Sequence, residues 1–141
     1  MSTRSIYFFS EGISFTLKQK ARIREWIGKV ARHHGFTLGA LNYIFVSDEH
    51  LLEMNKAHLQ HDYYTDILTF PLESPDSRRI SGDIYISIDR VQENAVTASV
   101  AFDDELHRVM IHGVLHLMGF DDHGNEEKAM REREDHALTL R

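Results

Sequence analysis

Two histidines four residues apart, His112 and His116, stand in the otherwise apolar start of the segment His112-Gly-Val-Leu-His-Leu-Met-Gly-Phe-Asp-Asp-His123. Residues four apart on a helix project from one face, so both imidazoles can reach a single ion. Unsatisfied imidazoles in such surroundings would be costly, which makes the pair a candidate metal site and not an incidental spacing. Gly119 then allows a sharp turn that brings back a third ligand. The spacing His-x-x-x-His-x-x-Gly-x-x-ligand puts that ligand at Asp122, a carboxylate acceptable to zinc. His123, one residue on, is the softer and more usual donor, and either replaces Asp122 or lies close by. Three protein ligands leave a position for water, as in a catalytic zinc site, and zinc lowers the pKa of such a water to about 7. The expected catalytic residues are His112, His116 and Asp122. The expected ligands are those three with His123, around one Zn2+ per chain, although imidazole and carboxylate also suit nickel, iron or manganese.

Peptidases with a His-Glu-x-x-His helix use the Glu after the first His as general base. Gly113 occupies that position here. The peptidase reading loses its proton acceptor, and a different hydrolytic reaction is favoured.

The composition narrows the choice further. The 141 residues include no cysteine, so a thiolate metal site and a disulfide framework are both excluded, and ten histidines is a high number for this length. A net charge of −6 argues against a broad nucleic-acid-coating surface. Lys18, Lys20, Arg22, Arg24, Lys29 and Arg32 nevertheless crowd one segment, which is either a solvated helix face or a local phosphate-binding stripe, whereas residues 126–135 are rich in Glu. No apolar run approaches membrane-spanning length and the N-terminus has no apolar signal core. The expected location is cytoplasmic, with no membrane partner.

These residues need a scaffold, and the hydrophobic pattern supplies one. Strands are expected at Ser5–Phe9, Ala40–Val46, Ile67–Phe70 (closed by Pro71) and Gly82–Ile88, with a loop over Leu72–Ser81. Helices are expected from a Thr16 cap to about His34, where Gly35 ends it, and from Ser47 or Asp48 to about Leu59. Others are expected from an Asp89 cap to about Ser99, from an Asp103 cap to about Met118, and over Asn125–Leu138. From Val109 the fourth helix is apolar nearly all round except for His112 and His116, which continue a polar strip begun by Glu105 and Arg108. Such a helix lies in a core with one polar seam. The whole reads as one α+β domain over residues 1–141, with α/β-like layers: a mixed sheet of about four strands packed with about five helices, the metal-binding helix in the core.

The histidine segment resembles the His-Gly-x-Leu-His-Leu-x-Gly-Tyr-Asp-His signature of the YbeY family of metal-dependent endoribonucleases, or rRNA maturation factors. Two more blocks resemble that family in order and spacing. Asn55-Lys-Ala-His-Leu-Gln-His-Asp-Tyr-Tyr-Thr-Asp-Ile-Leu-Thr-Phe70 is similar to its Asn-x-x-Tyr-Arg-x-x-Asp-x-Pro-Thr-Asp-Val-Leu-Ser-Phe, and Gly82-Asp-Ile-Tyr-Ile-Ser87 to its Gly-Asp-Ile-x-Ile-Ser. The resemblance implies cleavage of single-stranded RNA, maturation of ribosomal RNA, especially the small-subunit 3′ end, and ribosome quality control. Single-stranded or ribosomal RNA would be the partner, with small-subunit ribosomal proteins as further partners and no DNA. It also implies a zinc ion held by three histidines at the mouth of a cleft.

Two departures stand out. The family's third His aligns with Asp122, and its Arg, thought to contact RNA or stabilise charge, aligns with Leu59. A pentacoordinate phosphate needs cationic or hydrogen-bond stabilisation, and His58, His61 or the Lys18–Arg32 stripe are the candidates for it. Asp62, Thr65 and Asp66 match the family block and either line the cleft or make an ordinary turn. Asn55, Gly82 and Asp83 read as structural, and His33, His34, His50, His107 and His136 as surface or packing residues. Two other readings stay open: a zinc hydrolase of another class such as a peptidase, and a non-enzymatic ribosome-assembly factor with a structural metal.

Overall fold

The computed structural model describes residues 5–59, without the Leu59 side chain, and 65–141. His61 and Asp62 lie outside the described residues. Strand β2 (Thr37–Val46) is buried on both faces: Leu41, Tyr43 and Phe45 turn to one side, Ile44 and Val46 to the other. Such a strand belongs inside a sheet. The sheet order is β1-β2-β4-β3, with β1 (Ile6–Ser10), β4 (Arg79–Ser87) and β3 (Ile67–Pro71). The first three run parallel, and β3 is an antiparallel edge. Its terminal Pro71, which has no N–H to give, suits that edge.

Parallel neighbours need a crossover, and α1 (Lys20–His33) provides it between β1 and β2. On the face of Tyr43, Phe45, Ile84 and Ile86, α1 and α4 (Phe102–Leu117) close the main core. On the other face α2 (Asp48–Leu59) packs Leu51 against Ile44, Val46 and Leu68. Helices α3 (Ile88–Ala98) and α5 (Glu126–Thr139) flank α4. The mixed four-stranded sheet, the five helices and the core position of the histidine helix all match the sequence expectation. Leu106, Met110, Ile111, Val114 and Leu115 of α4 are at most 1% exposed, while Glu105, Arg108, His112 and His116 form the half-buried seam.

Buried polar groups fix these layers in register. The Tyr43 hydroxyl donates to the Met110 carbonyl at 2.9 Å, joining sheet to α4, and burial pushes its pKa far up, so it stays a donor. Trp26 Nε1 donates to the Ala137 carbonyl at 2.8 Å, joining α1 to α5. Among the described residues no helix is long and apolar enough to cross a membrane.

Several boundaries differ from the sequence expectation. Helix α1 starts at Lys20 and not after Thr16, because Phe15 and Leu17 turn inward, Phe15 stacking edge-on against Phe45 at 5.0 Å. Ser87, not Asp89, caps α3: its hydroxyl accepts from the Arg90 N–H at 3.1 Å, while Asp89 accepts from the Asp48 N–H. Asp103 lies in the first turn of α4 instead of at its cap, where it and Asp104 favour the helix dipole. The expected loop 72–81 contains a 3-10 turn, Pro75–Ser77, and the first residues of β4.

One packing histidine gives the fold a pH dependence. His107 sits beside Trp26, with ring centroids 5.6 Å apart, and its Nδ1 accepts from Arg141 Nη1 at 2.9 Å. Burial, then the Arg141 charge, hold its pKa below the usual histidine value against the pull of Asp103 and Asp104. At His107 the folded state therefore takes up fewer protons than the unfolded one, and this residue's contribution to stability is lost as pH falls through about 6.5. Urea unfolding at about pH 7.5 and about pH 5.5 is expected to show that loss. His107→Asn, which keeps an acceptor but has no titrating ring, is expected to show less of it.

Candidate metal centre

The end of α4 turns the chain back on itself. Gly119 adopts φ 99°, a left-handed conformation that suits glycine. Its N–H donates to the His116 carbonyl at 2.9 Å, and that of Phe120 donates to Leu115 at 3.1 Å, closing the last turn. The Arg133 guanidinium lies 4.1 Å over the Phe120 ring. Asp121 Oδ1 accepts from the backbone N–H groups of Asp122 and His123, at 2.7 and 3.2 Å, and so holds the loop in its return.

This return carries Asp122 to the two helix imidazoles. Its Oδ2 lies 3.2 Å from His112 Nε2 and 3.5 Å from His116 Nε2, and one ligand atom from each residue lies within 4.8 Å of the others. The two rings are 4.6 Å apart and inclined at 75°. His123 stays at the rim: its side chain is 86% exposed and its Nε2 is 3.7 Å from carboxylate oxygens of both Asp121 and Asp122. It groups with those two aspartates and not with the helix pair.

A fourth residue, absent from the sequence reading, completes the arrangement. Glu134 of α5 is buried, and its Oε2 lies 2.6 Å from His112 Nδ1. Its other oxygen accepts from Arg108 Nη1 at 2.9 Å, and Arg108 also donates to Asp135 at 2.7 Å. Burial would raise the Glu134 pKa, but the hydrogen bonds from His112 and Arg108 hold it below the usual glutamate value. An ionised carboxylate only accepts, so Nδ1 of His112 carries the proton and its Nε2 faces His116 and Asp122. This is the carboxylate–histidine pairing that orients metal-binding imidazoles. Burial lowers the pKa of His112, yet Glu134 raises it overall, whereas burial and the neighbouring His112 lower that of His116. The sequence does hold a signal for Glu134, since it shares a helical face with Met130 and Ala137, both buried.

Gly113 explains the missing peptidase glutamate. A Cβ there would stand 3.0 Å from Ile67 Cδ1 and from two carbons of Ile84, so the position faces the sheet and not the cleft. A long side chain has no room. Gly113→Leu is expected to destabilise the fold by about 3 kcal/mol through overpacking, read as a lowered midpoint in urea.

Two cavities flank the trio. One, of about 300 Å³, is walled by Asn55, Thr65 and Asp66 opposite His112, His116 and Asp122. Burial pushes the Asp66 carboxyl up from the usual aspartate range. The other, of about 740 Å³, lies between His112 and Asp122 on one side and α5 on the other. Neither cavity is lined by His58, which is exposed and packs edge-on against Phe70, or by the Lys18–Arg32 stripe of α1 among the described residues. His33 meets His34 edge-on and His136 at a tilt, and His50 lies in the first turn of α2, where its N–H donates to the Ser47 hydroxyl, as surface and packing residues do.

Two imidazoles and a carboxylate, one imidazole oriented by a buried carboxylate, are a donor set able to hold a divalent metal ion, and the residues present fit such an ion. Comparison with known proteins gives the family. The family model for Endoribonuclease YbeY matches residues 8–140. The Endoribonuclease YbeY of Cytophaga hutchinsonii is 49% identical, covering 100% of this chain and 99% of that protein. That of Bacteroides thetaiotaomicron is 47% identical over 97% of this chain and 99% of its own. The solution structure of a Thermotoga maritima protein superposes with a TM-score of 0.66 at 29% identity, covering 96% of this chain and 87% of the other. The chain belongs to the YbeY endoribonuclease family, a family of RNA-cleaving hydrolases.

Proposed function

We propose that this chain is a single-domain, zinc-dependent endoribonuclease of the cytoplasm. It cleaves single-stranded RNA in ribosomal RNA processing, at the small-subunit 3′ end, and serves ribosome quality control alongside small-subunit proteins. The observation that carries the reading is the convergence of His112, His116 and Asp122 in a chain 49% identical to an Endoribonuclease YbeY.

Those three residues would hold the ion, with His123 at the rim. When bound, zinc supplies Lewis-acid stabilisation of phosphate charge and brings the pKa of a water to about 7. The chain's own residues supply the rest. Glu134 holds the proton on His112 Nδ1 and keeps Nε2 directed at the other ligands. Asp121 fixes the loop that presents Asp122. Asp66, its carboxyl pushed up by burial, lines the cavity of about 300 Å³ opposite the ligands, where a carboxyl can exchange a proton with the substrate. Attack by water leaves a 2′-hydroxyl, and attack by the RNA's own 2′-hydroxyl leaves a cyclic phosphate, so end-group analysis separates the two routes.

The reading is tested by incubating the zinc-loaded chain with single-stranded RNA, duplex RNA and casein. Cleavage confined to single-stranded RNA is expected. Cleavage of casein with no action on RNA would instead establish a peptidase.

A further inference from the structure

Resting on this functional reading, we infer that Lys128 and Arg131 of α5 form the phosphate-binding wall of the RNA site. Cleaving a phosphodiester concentrates negative charge, and a single strand lying across the metal centre brings further phosphates beside it. Positively charged side chains must therefore face the space next to the ligands. Arg108 is committed to Glu134 and Asp135. Lys128 and Arg131 line the cavity of about 740 Å³ together with His112 and Asp122, and neither makes an ion pair or hydrogen bond among the described residues.

Their placement is that of a built wall. Three residues apart, they project from the same face of α5. That helix is seated by the Trp26 bond to Ala137 and by Glu134 on His112. Arg131 faces the α4 seam closely enough to oppose the upward push of burial and of Asp66 on Glu105. Within an acidic helix these two cations point into the cavity beside the ligands, with Glu127 the one carboxylate there besides Asp122 and the paired Glu134. Among the described residues the other candidates fall away, since neither His58 nor the α1 stripe lines a cavity at the site.

The test compares wild type, K128A/R131A and the charge-conserving K128R/R131K, all loaded with zinc. Both side chains are exposed, so alanine leaves the fold in place. Binding of a short 2′-O-methyl oligoribonucleotide is followed by fluorescence anisotropy across a salt series, beside zinc content and cleavage of the matching RNA. For K128A/R131A we expect full zinc content, affinity weaker on the order of tenfold, and a salt slope smaller by about 1.4, from two single-strand phosphate contacts at roughly 0.7 each. K128R/R131K should keep affinity and slope. A wild type that binds and cleaves RNA, with a K128A/R131A variant equal to it in affinity and slope, would overturn this inference alone. Loss of zinc from K128A/R131A would also overturn it, by assigning the pair to the metal site's architecture. A wild type that neither binds nor cleaves RNA would remove the functional reading and this inference together.

Discussion

Replacing His116 by alanine is expected to reduce RNA cleavage on the order of a thousandfold while the chain stays folded. The imidazole is one of three donors to the proposed ion, and Lewis-acid stabilisation of a transferring phosphate is worth several kcal/mol, or about three decades in rate. The fold should tolerate the change. His116 lies on the half-buried seam in the last turn of α4, its side chain 26% exposed, and alanine is the best helix former. Cleavage assays paired with urea unfolding check both halves of the expectation. A variant that unfolds while retaining activity per folded molecule would instead make the metal a structural clasp between α4 and the loop after it.

The second large effect belongs to Glu134. Glu134→Gln preserves shape but removes the charge that fixes His112, and zinc affinity is expected to fall by roughly 10- to 100-fold. Glu134→Ala should lower stability by about 3 kcal/mol as well, since it strips one partner from Arg108 in a mostly buried pair. Asp135 still holds the other side of that guanidinium, so the loss stays below that of a wholly orphaned charge. Zinc competition titrations and urea unfolding read the two effects separately. Unchanged zinc affinity in Glu134→Gln would mean that His112 needs no orienting carboxylate.

How much of this is legible in the sequence follows from distance along the chain. The His112, His116, Asp122 spacing spans one helix turn and one glycine turn, so local geometry alone brings the three together. The number of strands and helices follows similarly from alternation and amphipathic runs, whereas the sheet order β1-β2-β4-β3 is seen only in the fold. Residues positioned by packing between distant elements are another matter. Glu134 is 22 positions from His112 and meets it because α5 lies across α4. It reads in the sequence as one more acid in a Glu-rich tail. Lys128 and Arg131 share that fate, while the eye is drawn to the denser Lys18–Arg32 stripe, which the fold places away from the site. The start of α1 is hidden for a related reason: Thr16 has cap chemistry, but the inward turn of Phe15 and Leu17 keeps the chain out of the helix until Lys20. Gly113 reads as a lost base until the sheet behind it is seen, where it is a packing requirement of Ile67 and Ile84.

The most direct measurement is metal content and single-stranded RNA cleavage on the same preparations of wild type, His112→Ala, Asp122→Ala and His123→Ala. One equivalent of zinc with cleavage is expected for wild type, loss of both for His112→Ala and Asp122→Ala, and retention of most of both for His123→Ala. Full metal occupancy together with full cleavage in His112→Ala would contradict the metal centre on which the functional reading stands.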